Sequence, residues 1–214
     1  MQLYRHQIDA LNKAKKLDNV AFYHPMGSGK TYTGSEQMIY YNMPINLVVC
    51  QKSKINDWIE HFKTNYNKKI IVYNLTNEKE FNLFFEEINK PIVGIINYDL
   101  LFRRSNLLKL RDFTLLLDES SLIQNEGTKR TKFIFKMRPA HVILLSGTPV
   151  GGKYEKLWSQ MHLLGWNITR TSYWNTYVDY RVDKSQGFPI VMVRGYKREK
   201  RLKEKMREYG CNFL

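Results

Sequence analysis

Short apolar runs alternate with amphipathic segments along most of this chain, and the alternation predicts strands and helices in turn. The apolar runs predict strands over residues 20–23, 45–50, 69–73, 92–96, 113–117 and 140–145. Apolar residues at helical spacing predict an N-terminal helix before the first strand, and further helices over residues 32–41, 55–66, 78–89, 100–110 and 131–137. This order is typical of an α/β fold, with a mostly parallel sheet and helices on both faces.

The last part of the chain differs in character, because aromatic and basic residues replace the long apolar runs. We expect four elements there: a helix over 154–164 that ends at Gly165, an aromatic-rich segment over 166–180, a turn and strand over 187–194, and a basic helix over 197–209. Too few apolar residues follow Pro149 for an independent core. We therefore divide the chain into a main domain, residues 1–165, and an extension, residues 166–214, that caps it or links it to another unit.

The strongest chemical signal lies in residues 24–31, with the sequence His-Pro-Met-Gly-Ser-Gly-Lys-Thr, between a predicted strand and a predicted helix. Gly27 and Gly29 let the backbone curl with its N–H groups inward, and the helix N-terminus adds partial positive charge. The pattern predicts a phosphate-binding loop, in which Lys30 reaches the β- and γ-phosphates and Thr31 ligates Mg²⁺. The alternative is a glycine turn before a surface helix.

Two adjacent carboxylates, Asp118 and Glu119, follow the fully apolar strand predicted over 113–117. Charged groups at the end of a buried strand need a cation. In a phosphate-loop site, Asp118 would hold Mg²⁺, directly or through water, and Glu119 would orient or deprotonate the attacking water. The alternative is an acidic turn that caps the next helix.

The last predicted strand ends in Ser-Gly-Thr-Pro, which places the hydroxyl residues Ser146 and Thr148 at a strand end. Small hydroxyl groups can hydrogen-bond a carboxylate pair and report the nucleotide state to other parts of a protein. We therefore take these two residues as candidates for coupling. A plain tight turn is the competing interpretation.

The balance of charge indicates an anionic polymer as partner, because 34 Lys+Arg against 20 Asp+Glu give a formal net charge of +14. Turns after parallel strands share the ligand-binding edge of a sheet. Lys52, Ser53 and Lys54 follow a strand and are therefore candidates for contacts with a nucleic acid backbone. Arg103 and Arg104 could pair with phosphates in the same way. Basic residues that are merely solvated are the alternative for all of these positions.

Composition argues against several other classes of protein. No apolar run approaches the roughly 20 residues of a membrane span, and the first residues lack the apolar core of a signal peptide. We therefore expect a cytoplasmic protein with no membrane partner. Cys50 and Cys211 lie far apart and have no metal-ligand spacing, so neither a zinc site nor a disulfide framework is indicated.

The order of these strand-end motifs resembles that of the first RecA-like lobe of the superfamily-two helicases, and within them the SWI/SNF group. The matching segments are 3–7 (the adenine-reading segment), 27–31 (motif I), 50–54 with Trp58 (motif Ia), 95–99 (motif Ib), 118–121 (motif II) and 146–149 (motif III). Gln124-Asn125 and Lys156-Leu157-Trp158 favour the SWI/SNF group, in which compact phage-type members are the most similar. The resemblance covers residues 2–165, and residues 187–209 resemble the lead-in to the second lobe.

This resemblance implies a RecA-like P-loop NTPase lobe that uses ATP and Mg²⁺ and contacts nucleic acid, with DNA as the expected partner. The catalytic candidates are Lys30, Asp118 and Glu119. The nucleotide-binding candidates are Gln7, Gly27, Ser28, Gly29, Lys30 and Thr31, with Thr31 and Asp118 on the metal. The nucleic-acid candidates are Lys52, Ser53, Asn97 and Tyr98. If the chain is phage-encoded, its compartment would be the host cytoplasm.

The sequence departs from the family pattern at three places. His24 replaces an acidic residue, Ser120-Ser121 replaces Ala-His, and Gln124 replaces lysine. Such motors also carry a second RecA-like lobe with arginine fingers, for which 214 residues leave no room. We therefore expect an expressed N-terminal fragment or a naturally truncated product.

The sequence thus predicts the N-terminal ATP-binding lobe of an ATP-dependent DNA helicase or translocase, an ATP hydrolase that is weakly active without its second lobe. An alternative of another class is a nucleic-acid- or protein-binding module whose nucleotide site is vestigial. A stand-alone phosphate-loop kinase is a third possibility, although no segment resembles a lid or an acceptor site.

Overall fold

The computed structural model describes residues 3–86, 90–185 and 188–213. Its strands are β1 (Asn19–Tyr23), β2 (Ile45–Cys50), β3 (Ile71–Asn74), β4 (Ile92–Asn97), β5 (Phe113–Asp118), β6 (His141–Ser146), β7 (Val178–Asp183), β8 (Ile190–Tyr196) and β9 (Cys211–Phe213). Its helices are α1 (Arg5–Ala14), α2 (Lys30–Tyr41), α3 (Ile55–Tyr66), α4 (Glu78–Leu83), α5 (Tyr98–Leu101), α6 (Lys129–Lys136), α7 (Trp158–Leu163), α8 (Arg170–Tyr177) and α9 (Glu199–Glu208). Four 3-10 turns complete the order: Lys52–Lys54, Ser105–Lys109, Ser120–Ile123 and Tyr154–Lys156.

Seven strands form one sheet in the order β3-β4-β2-β5-β6-β1-β9, and every pair within it is parallel. The predicted α/β fold with a parallel sheet is therefore confirmed. Alternate residues of the central strands enter two different cores: Leu115 and Leu117 belong to one hydrophobic cluster, and Leu116 belongs to the other. A strand buried on both faces must be apolar throughout, which explains its continuous hydrophobic run.

Helices cover both faces of the sheet, as predicted. On one face α1, α2 and α3 contribute the buried residues Ala10, Met38, Trp58 and Phe62. On the other face α4 to α9 contribute Phe81, Leu101, Ile134, Met161, Tyr173 and Leu202. Among the helices of the described residues, none combines the length and the apolar character that crossing a membrane requires.

Three predicted helices differ from the observed ones. The helix expected over 154–164 is divided into the 3-10 turn Tyr154–Lys156 and α7, which begins at Trp158. The helix expected over 100–110 is divided into α5 and the 3-10 turn Ser105–Lys109, because Arg104 has a non-helical backbone (φ −101°, ψ 70°). This break turns the chain so that Leu107 is fully buried. The helix expected over 78–89 ends early as α4, and residues 87–89 of that prediction lie outside the described residues.

The last part of the chain contains three features that the sequence did not predict, and the first is α8, which lies within the aromatic-rich segment. Strands β7 and β8 pair antiparallel as a hairpin, with Val182 opposite Val191 and both side chains exposed. The turn expected at Gly187 lies outside the described residues. Strand β9 pairs parallel with β1, so that the chain returns to the main sheet after α9. The division at residue 165 stays a prediction.

Candidate functional site

The carboxyl ends of the central strands meet at one edge of the sheet. Strand β6 lies between β1 and β5, and its pairing places Ser146 beside Tyr23 and Leu145 beside Asp118. Parallel strands align their carboxyl ends, so the segments that follow β1, β5 and β6 converge there. These segments hold the phosphate-loop, acidic and hydroxyl motifs.

A six-residue loop, 24–29, connects β1 to α2, which confirms the predicted strand-to-helix junction. Gly27 (φ +78°) and Gly29 (φ +75°) both have left-handed backbones, a conformation that residues with a side chain seldom adopt. α2 follows at once, with 12 residues, so its first N–H groups face the same space as the loop. The loop and the helix N-terminus together can bind an anion.

The side chain of Gln7 on α1 fastens this loop. Its amide nitrogen donates to the carbonyl oxygens of Ser28 and Gly29, both at 3.2 Å, and its Oε1 accepts from the Tyr4 N–H at 2.8 Å. His6 Nε2 lies 3.0 Å from the same Ser28 oxygen. Gln7 is only 2% exposed, and a Cβ added to Gly29 would lie 2.3 Å from its Nε2. The amide predicted to read adenine therefore holds the loop, and its contact with adenine stays a prediction.

The candidate phosphate-binding amine of Lys30 lies over the loop. Its Nζ donates to the Pro25 carbonyl at 3.0 Å, and Ser28 Oγ donates to the same oxygen at 2.8 Å. Nζ is also 3.7 Å from the place where a Cβ on Gly147 would stand, next to the hydroxyl motif. Thr31, partly buried, occupies the second position of α2.

The acidic pair lies where β5 ends. Asp118 is its last residue, and its Oδ2 accepts a hydrogen bond from the indole N–H of Trp58 on α3 at 2.8 Å. Burial raises the pKa of Asp118 above its usual value, while the Trp58 hydrogen bond and the charge of Lys30 oppose the rise. Burial and the neighbouring Asp118 charge likewise raise the pKa of Glu119, again against the charge of Lys30. The structure thus brings the loop lysine and both carboxylates into one electrostatic environment.

The hydroxyl motif completes this edge. Ser146 is fully buried, and its side chain lowers the pKa of Glu119, against the effect of burial. Its Oγ accepts a hydrogen bond from the Thr148 backbone N–H at 3.2 Å. The serine therefore lies near the acidic pair, and Thr148 takes part in this arrangement through its main chain. The coupling role of both residues stays a prediction.

Within the described part of the chain, no three His, Cys, Asp or Glu side chains converge as a metal-binding group. Mg²⁺ sites in nucleotide enzymes commonly use one or two protein oxygens and complete the shell with phosphates and water. Asp118 and Thr31 suit that type of site. A metal held here would need ligands from the nucleotide.

The nucleic-acid candidates lie further along the same edge. Lys52 and Ser53 are exposed in the 3-10 turn after β2, and Lys52 lines a surface cavity of about 450 Å³ with Asn97 and Arg103. Tyr98 is different, because it is 2% exposed and its hydroxyl donates to the Asp118 carbonyl at 2.9 Å. Its side chain lies behind this surface rather than on it.

His24 stands where the full phosphate-loop pattern has a glycine. It is fully buried, and its Nε2 lies 3.3 Å from Asn212 Oδ1 on β9. Burial lowers the pKa of His24, so the ring is neutral at physiological pH. The histidine that departs from the pattern thus contacts Asn212, a residue 188 positions further along the chain.

One residue of this edge was not singled out from the sequence. The side chain of Gln160, on α7, contacts the last residue of β1 and the segments that follow β5 and β6. No periodicity or motif indicated it, since a lone glutamine in an amphipathic helix is ordinarily a surface residue. Its complete burial in the structure distinguishes Gln160 from such a surface glutamine.

The fold is similar to solved ATPase structures. The Sulfolobus solfataricus SWI2/SNF2 ATPase core in complex with dsDNA superposes with a TM-score of 0.80 at 18% sequence identity, covering 100% of this chain and 44% of that one. The S. solfataricus SWI2/SNF2 ATPase core domain gives a TM-score of 0.63 at 22% identity, covering 83% of this chain and 38% of that one. One lobe of such a core accounts for the match.

Sequence comparisons agree. The DNA repair protein RAD5 of Kluyveromyces lactis is 25% identical over 166 residues, and the CHD3-type chromatin-remodeling factor CHR7 of Arabidopsis thaliana is 25% identical over 178 residues. These alignments cover 71% and 76% of this chain but only 15% of each relative, so the chain spans a small part of their length. The SNF2-related domain family matches residues 9–209. With this match and the motif order at the sheet edge, the chain belongs to the SNF2-related domain family and has the fold of its first RecA-like ATPase lobe.

Proposed function

We propose that this chain is the N-terminal ATP-binding lobe of an ATP-dependent DNA helicase or translocase, and that the complete protein hydrolyses ATP. The observation that supports this most is the meeting of three polar segments at one sheet edge. The Lys30 loop follows β1, Asp118 and Glu119 follow β5, and Ser146 ends β6 between them. Membership of the SNF2-related domain family supports the same reaction.

The residues at this edge fit a nucleotide with Mg²⁺. No atom outside the adjacent residues lies within 4 Å of the place where a Cβ on Gly27 would stand, so the loop is open at this position. The Thr31 hydroxyl and the Asp118 carboxylate are oxygen ligands of the kind that Mg²⁺ takes. Burial raises the pKa of both Asp118 and Glu119, so a cation close to them would relieve an electrostatic cost.

Each residue has a defined task in this proposal. The N–H groups of residues 27–29 donate to phosphate oxygens, and the Lys30 ammonium offsets charge on the β- and γ-phosphates. Mg²⁺ held by Thr31 and Asp118 supplies further neutralisation of phosphate charge. Glu119 accepts the proton of the attacking water, and its raised pKa makes it a stronger base than an exposed glutamate.

Gln7, Ser146 and Thr148 have supporting tasks. Gln7 keeps the loop in shape through its two carbonyl contacts and is also assigned the adenine edge. The Ser146 side chain influences the pKa of Glu119, so we assign to the Ser146–Thr148 turn the transmission of the nucleotide state to the rest of the motor. These tasks follow the order of the motifs along the sheet edge.

We infer that DNA binds along the cavity beside the 3-10 turn, with contacts from Lys52, Ser53, Asn97 and the segment that begins at Tyr98. The dsDNA complex of the S. solfataricus relative supports this choice of partner. A second RecA-like lobe would supply arginine fingers, whose absence reduces hydrolysis by roughly 10³- to 10⁵-fold in other phosphoryl-transfer enzymes. The chain alone should therefore hydrolyse ATP slowly.

A cytoplasmic location belongs to the same proposal. Both cysteines, Cys50 and Cys211, are buried free thiols, as suits a reducing compartment. Burial raises the pKa of Cys50 to about 12, so it is unreactive. The similarity to phage-type members stays a prediction.

The test uses a fluorescent ATP analogue and a labelled DNA duplex, titrated separately with the chain. We expect Lys30→Ala to abolish Mg²⁺-dependent nucleotide binding and to leave DNA binding intact. Lys16→Ala, a change of an exposed lysine in the turn that follows α1, is the control and should alter neither. Adding the second lobe in one polypeptide should give DNA-stimulated ATP hydrolysis.

Two results would overturn the proposal. One is equal nucleotide binding by the wild-type chain and Lys30→Ala. The other is DNA binding with a steep salt dependence but no nucleotide binding at all, which would identify a binding module with a vestigial site.

A further inference from the structure

The residue Gln160 lies in the middle of α7, beneath the strand ends that form the candidate nucleotide site. It is fully buried, although α7 itself lies outside the phosphate-loop, acidic and hydroxyl motifs. α7 packs against the 3-10 turn Ser120–Ile123, which follows the acidic pair directly. A buried glutamine needs partners for its amide, and these partners define what it does.

All three hydrogen bonds of the Gln160 amide go to different segments. Its Oε1 accepts from the Ser120 hydroxyl at 2.7 Å and from the Tyr23 hydroxyl at 3.0 Å. Its Nε2 donates to the Pro149 carbonyl at 2.7 Å. The same carbonyl accepts from Gln124 Nε2 at 2.9 Å, which ties a further residue of the acidic segment to this point.

Each partner is adjacent to a residue with an assigned task. Tyr23 is the last residue of β1, immediately before the loop; Ser120 follows Glu119; and Pro149 follows Thr148. Strands β1 and β5 are not neighbours in the sheet, because β6 separates them. Gln160 therefore links two strand ends that the backbone ladder does not join directly.

The link bears on the direction of the Glu119 side chain. Glu119 has a left-handed backbone (φ +53°), which costs free energy in a residue with a side chain. Surrounding contacts must hold such a conformation. The bond from the Ser120 hydroxyl to Gln160 restrains the residue that follows Glu119, and so is one of the contacts that bear on the direction of the carboxylate.

We propose that Gln160 is a positioning residue of the nucleotide site, which holds the acidic pair in register with the loop and the Ser146–Thr148 turn. It contacts neither nucleotide nor metal, and acts through Ser120, Tyr23 and Pro149. This inference rests on the proposed ATP-binding function, since positioning has an effect only if Mg²⁺ and nucleotide bind. The quantity that tests the inference is the Mg²⁺ enhancement, which is the factor by which Mg²⁺ increases the affinity of the chain for nucleotide.

The first variant is Gln160→Met, which keeps the length of the side chain and removes all three hydrogen bonds. The affinity of the chain for the fluorescent ATP analogue is measured with Mg²⁺ and with EDTA. We expect the Mg²⁺ enhancement to fall about tenfold, the ratio that corresponds to the loss of one good hydrogen bond. Binding in EDTA, which depends on the loop, should change less than about twofold.

Gln37→Met is the matched control. Gln37 is also fully buried, on α2, but within the described residues no hydrogen bond joins its amide to the strand-end segments of the candidate site. The same substitution there should leave the Mg²⁺ enhancement unchanged. Thermal unfolding of both variants shows whether each is folded at the assay temperature.

Ser120→Ala is the second variant, and it keeps the test decisive if Gln160→Met does not fold. It deletes one bond to Gln160 and should itself lower the Mg²⁺ enhancement several-fold. Ser159→Ala is its control, because the buried Ser159 hydroxyl on α7 has no partner among the described residues. Combining Ser120→Ala with Gln160→Met should lower the enhancement no further than Gln160→Met alone.

The outcomes separate the two proposals. A wild-type chain without Mg²⁺-dependent nucleotide binding overturns the proposed function and the inference with it. A wild-type chain that shows the enhancement, together with folded Ser120→Ala and Gln160→Met chains that keep it, overturns the inference alone. A purely structural Gln160 would lower the unfolding temperature but leave the Mg²⁺ enhancement intact.

Discussion

The indole N–H of Trp58 donates a hydrogen bond to Oδ2 of Asp118 over 2.8 Å, and so joins helix α3 to the candidate metal ligand. α3 begins directly after the turn that holds Lys52, and Trp58 is only 2% exposed. Helix α3 therefore connects the expected nucleic-acid surface to the carboxylate of the nucleotide site.

Trp58→Phe should move the pH dependence of Mg²⁺ binding. The substitution keeps an aromatic ring beside Phe62 but deletes a donor that lowers the pKa of Asp118. The carboxylate should then bind a proton more readily, so the midpoint of Mg²⁺-dependent nucleotide binding should shift to higher pH. Titration of the fluorescent analogue between pH 5 and 8 measures this midpoint.

Trp158→Phe is the control for that measurement. The Trp158 indole also donates at 2.8 Å, but to the Ile168 carbonyl in the α7–α8 region. Its loss should leave the midpoint in place. Equal shifts in the two variants would mean that the Trp58 contact has no special effect on the carboxylate.

Asp118→Asn should stabilise the chain at neutral pH in the absence of Mg²⁺. Folding raises the pKa of the Asp118 carboxyl, so its contribution to stability is fully present at pH values below its unfolded-state pKa. That contribution is lost as the pH rises through its folded-state pKa. The asparagine avoids this loss, so we expect the unfolding temperature to rise by about 2–4 °C near pH 7, as a change of roughly 1 kcal/mol gives in a domain of this size. The gain should vanish toward pH 3.

Asp183→Asn provides the opposite case. Hydrogen bonds from the backbone and side chain of Ser185 lower the pKa of this exposed aspartate on β7. Its replacement should give no gain in unfolding temperature at neutral pH. Calorimetric scans of the three proteins at pH 3 and 7 make the comparison, and a destabilised Asp118→Asn at pH 7 would contradict the argument.

Gly29→Ala should weaken both folding and nucleotide binding. The left-handed backbone alone costs about 1–2 kcal/mol with a side chain present. The new Cβ would also lie 2.3 Å from Gln7 Nε2, which must give up its bonds to the loop carbonyls to make room. We expect a loss of stability beyond the backbone cost, measured by urea unfolding, and a large loss of affinity for the ATP analogue.

Gly152→Ala isolates the backbone contribution. Its φ of +77° is close to that of Gly29, but no atom lies within 4 Å of the place where its Cβ would stand. It should lose only the backbone cost. A loss in Gly152→Ala as large as that in Gly29→Ala would show that the contact with Gln7 contributes nothing.

Replacing Lys52 and Lys54 together by alanine should weaken DNA binding and reduce its salt dependence. Each phosphate contact contributes about one unit to the slope of log affinity against log salt, so the double variant should lose up to about two units. Fluorescence anisotropy of a labelled duplex at several salt concentrations gives this slope. The pair Lys68→Ala and Lys69→Ala, exposed at the opposite end of α3, should leave the slope unchanged.

Much of the fold was predictable because the central strands are buried on both faces. Their uninterrupted apolar runs, such as Leu115-Leu116-Leu117, left little choice of structure. Strand β9 could not be found in this way, since the three residues Cys211-Asn212-Phe213 show no pattern and depend on pairing with β1. In the hairpin, β8 overlaps the turn and strand expected over 187–194, whereas β7 and its pairing with β8 were not predicted. Exposed apolar residues such as Val182, Val191 and Met192 obscure the alternation that identifies such strands.

The candidate site was predictable where a motif occupies one strand end. Lys30, Asp118 and Glu119 were named from local sequence, and the sheet brings their segments together. The roles of Gln7 and Gln160 in holding these segments were not predictable, because contacts such as Gln7–Ser28 and Tyr23–Gln160 join residues 21 and 137 positions apart. Tyr98 shows the reverse error: a residue at the expected edge can still point inward, because burial depends on neighbours that the sequence does not place side by side.

Strand β1, which leads into the phosphate loop, has neighbours only from far along the chain. Val20 pairs with Ile143 of β6, and Ala21 pairs with Cys211 of β9. Contacts between such distant residues form slowly, because a long loop must close before they stabilise the chain. During synthesis β1 therefore leaves the ribosome before β6 and β9, and it stays unpaired until these strands have been made. Its exposed apolar edge is then a point at which a chaperone can bind and at which premature aggregation can begin.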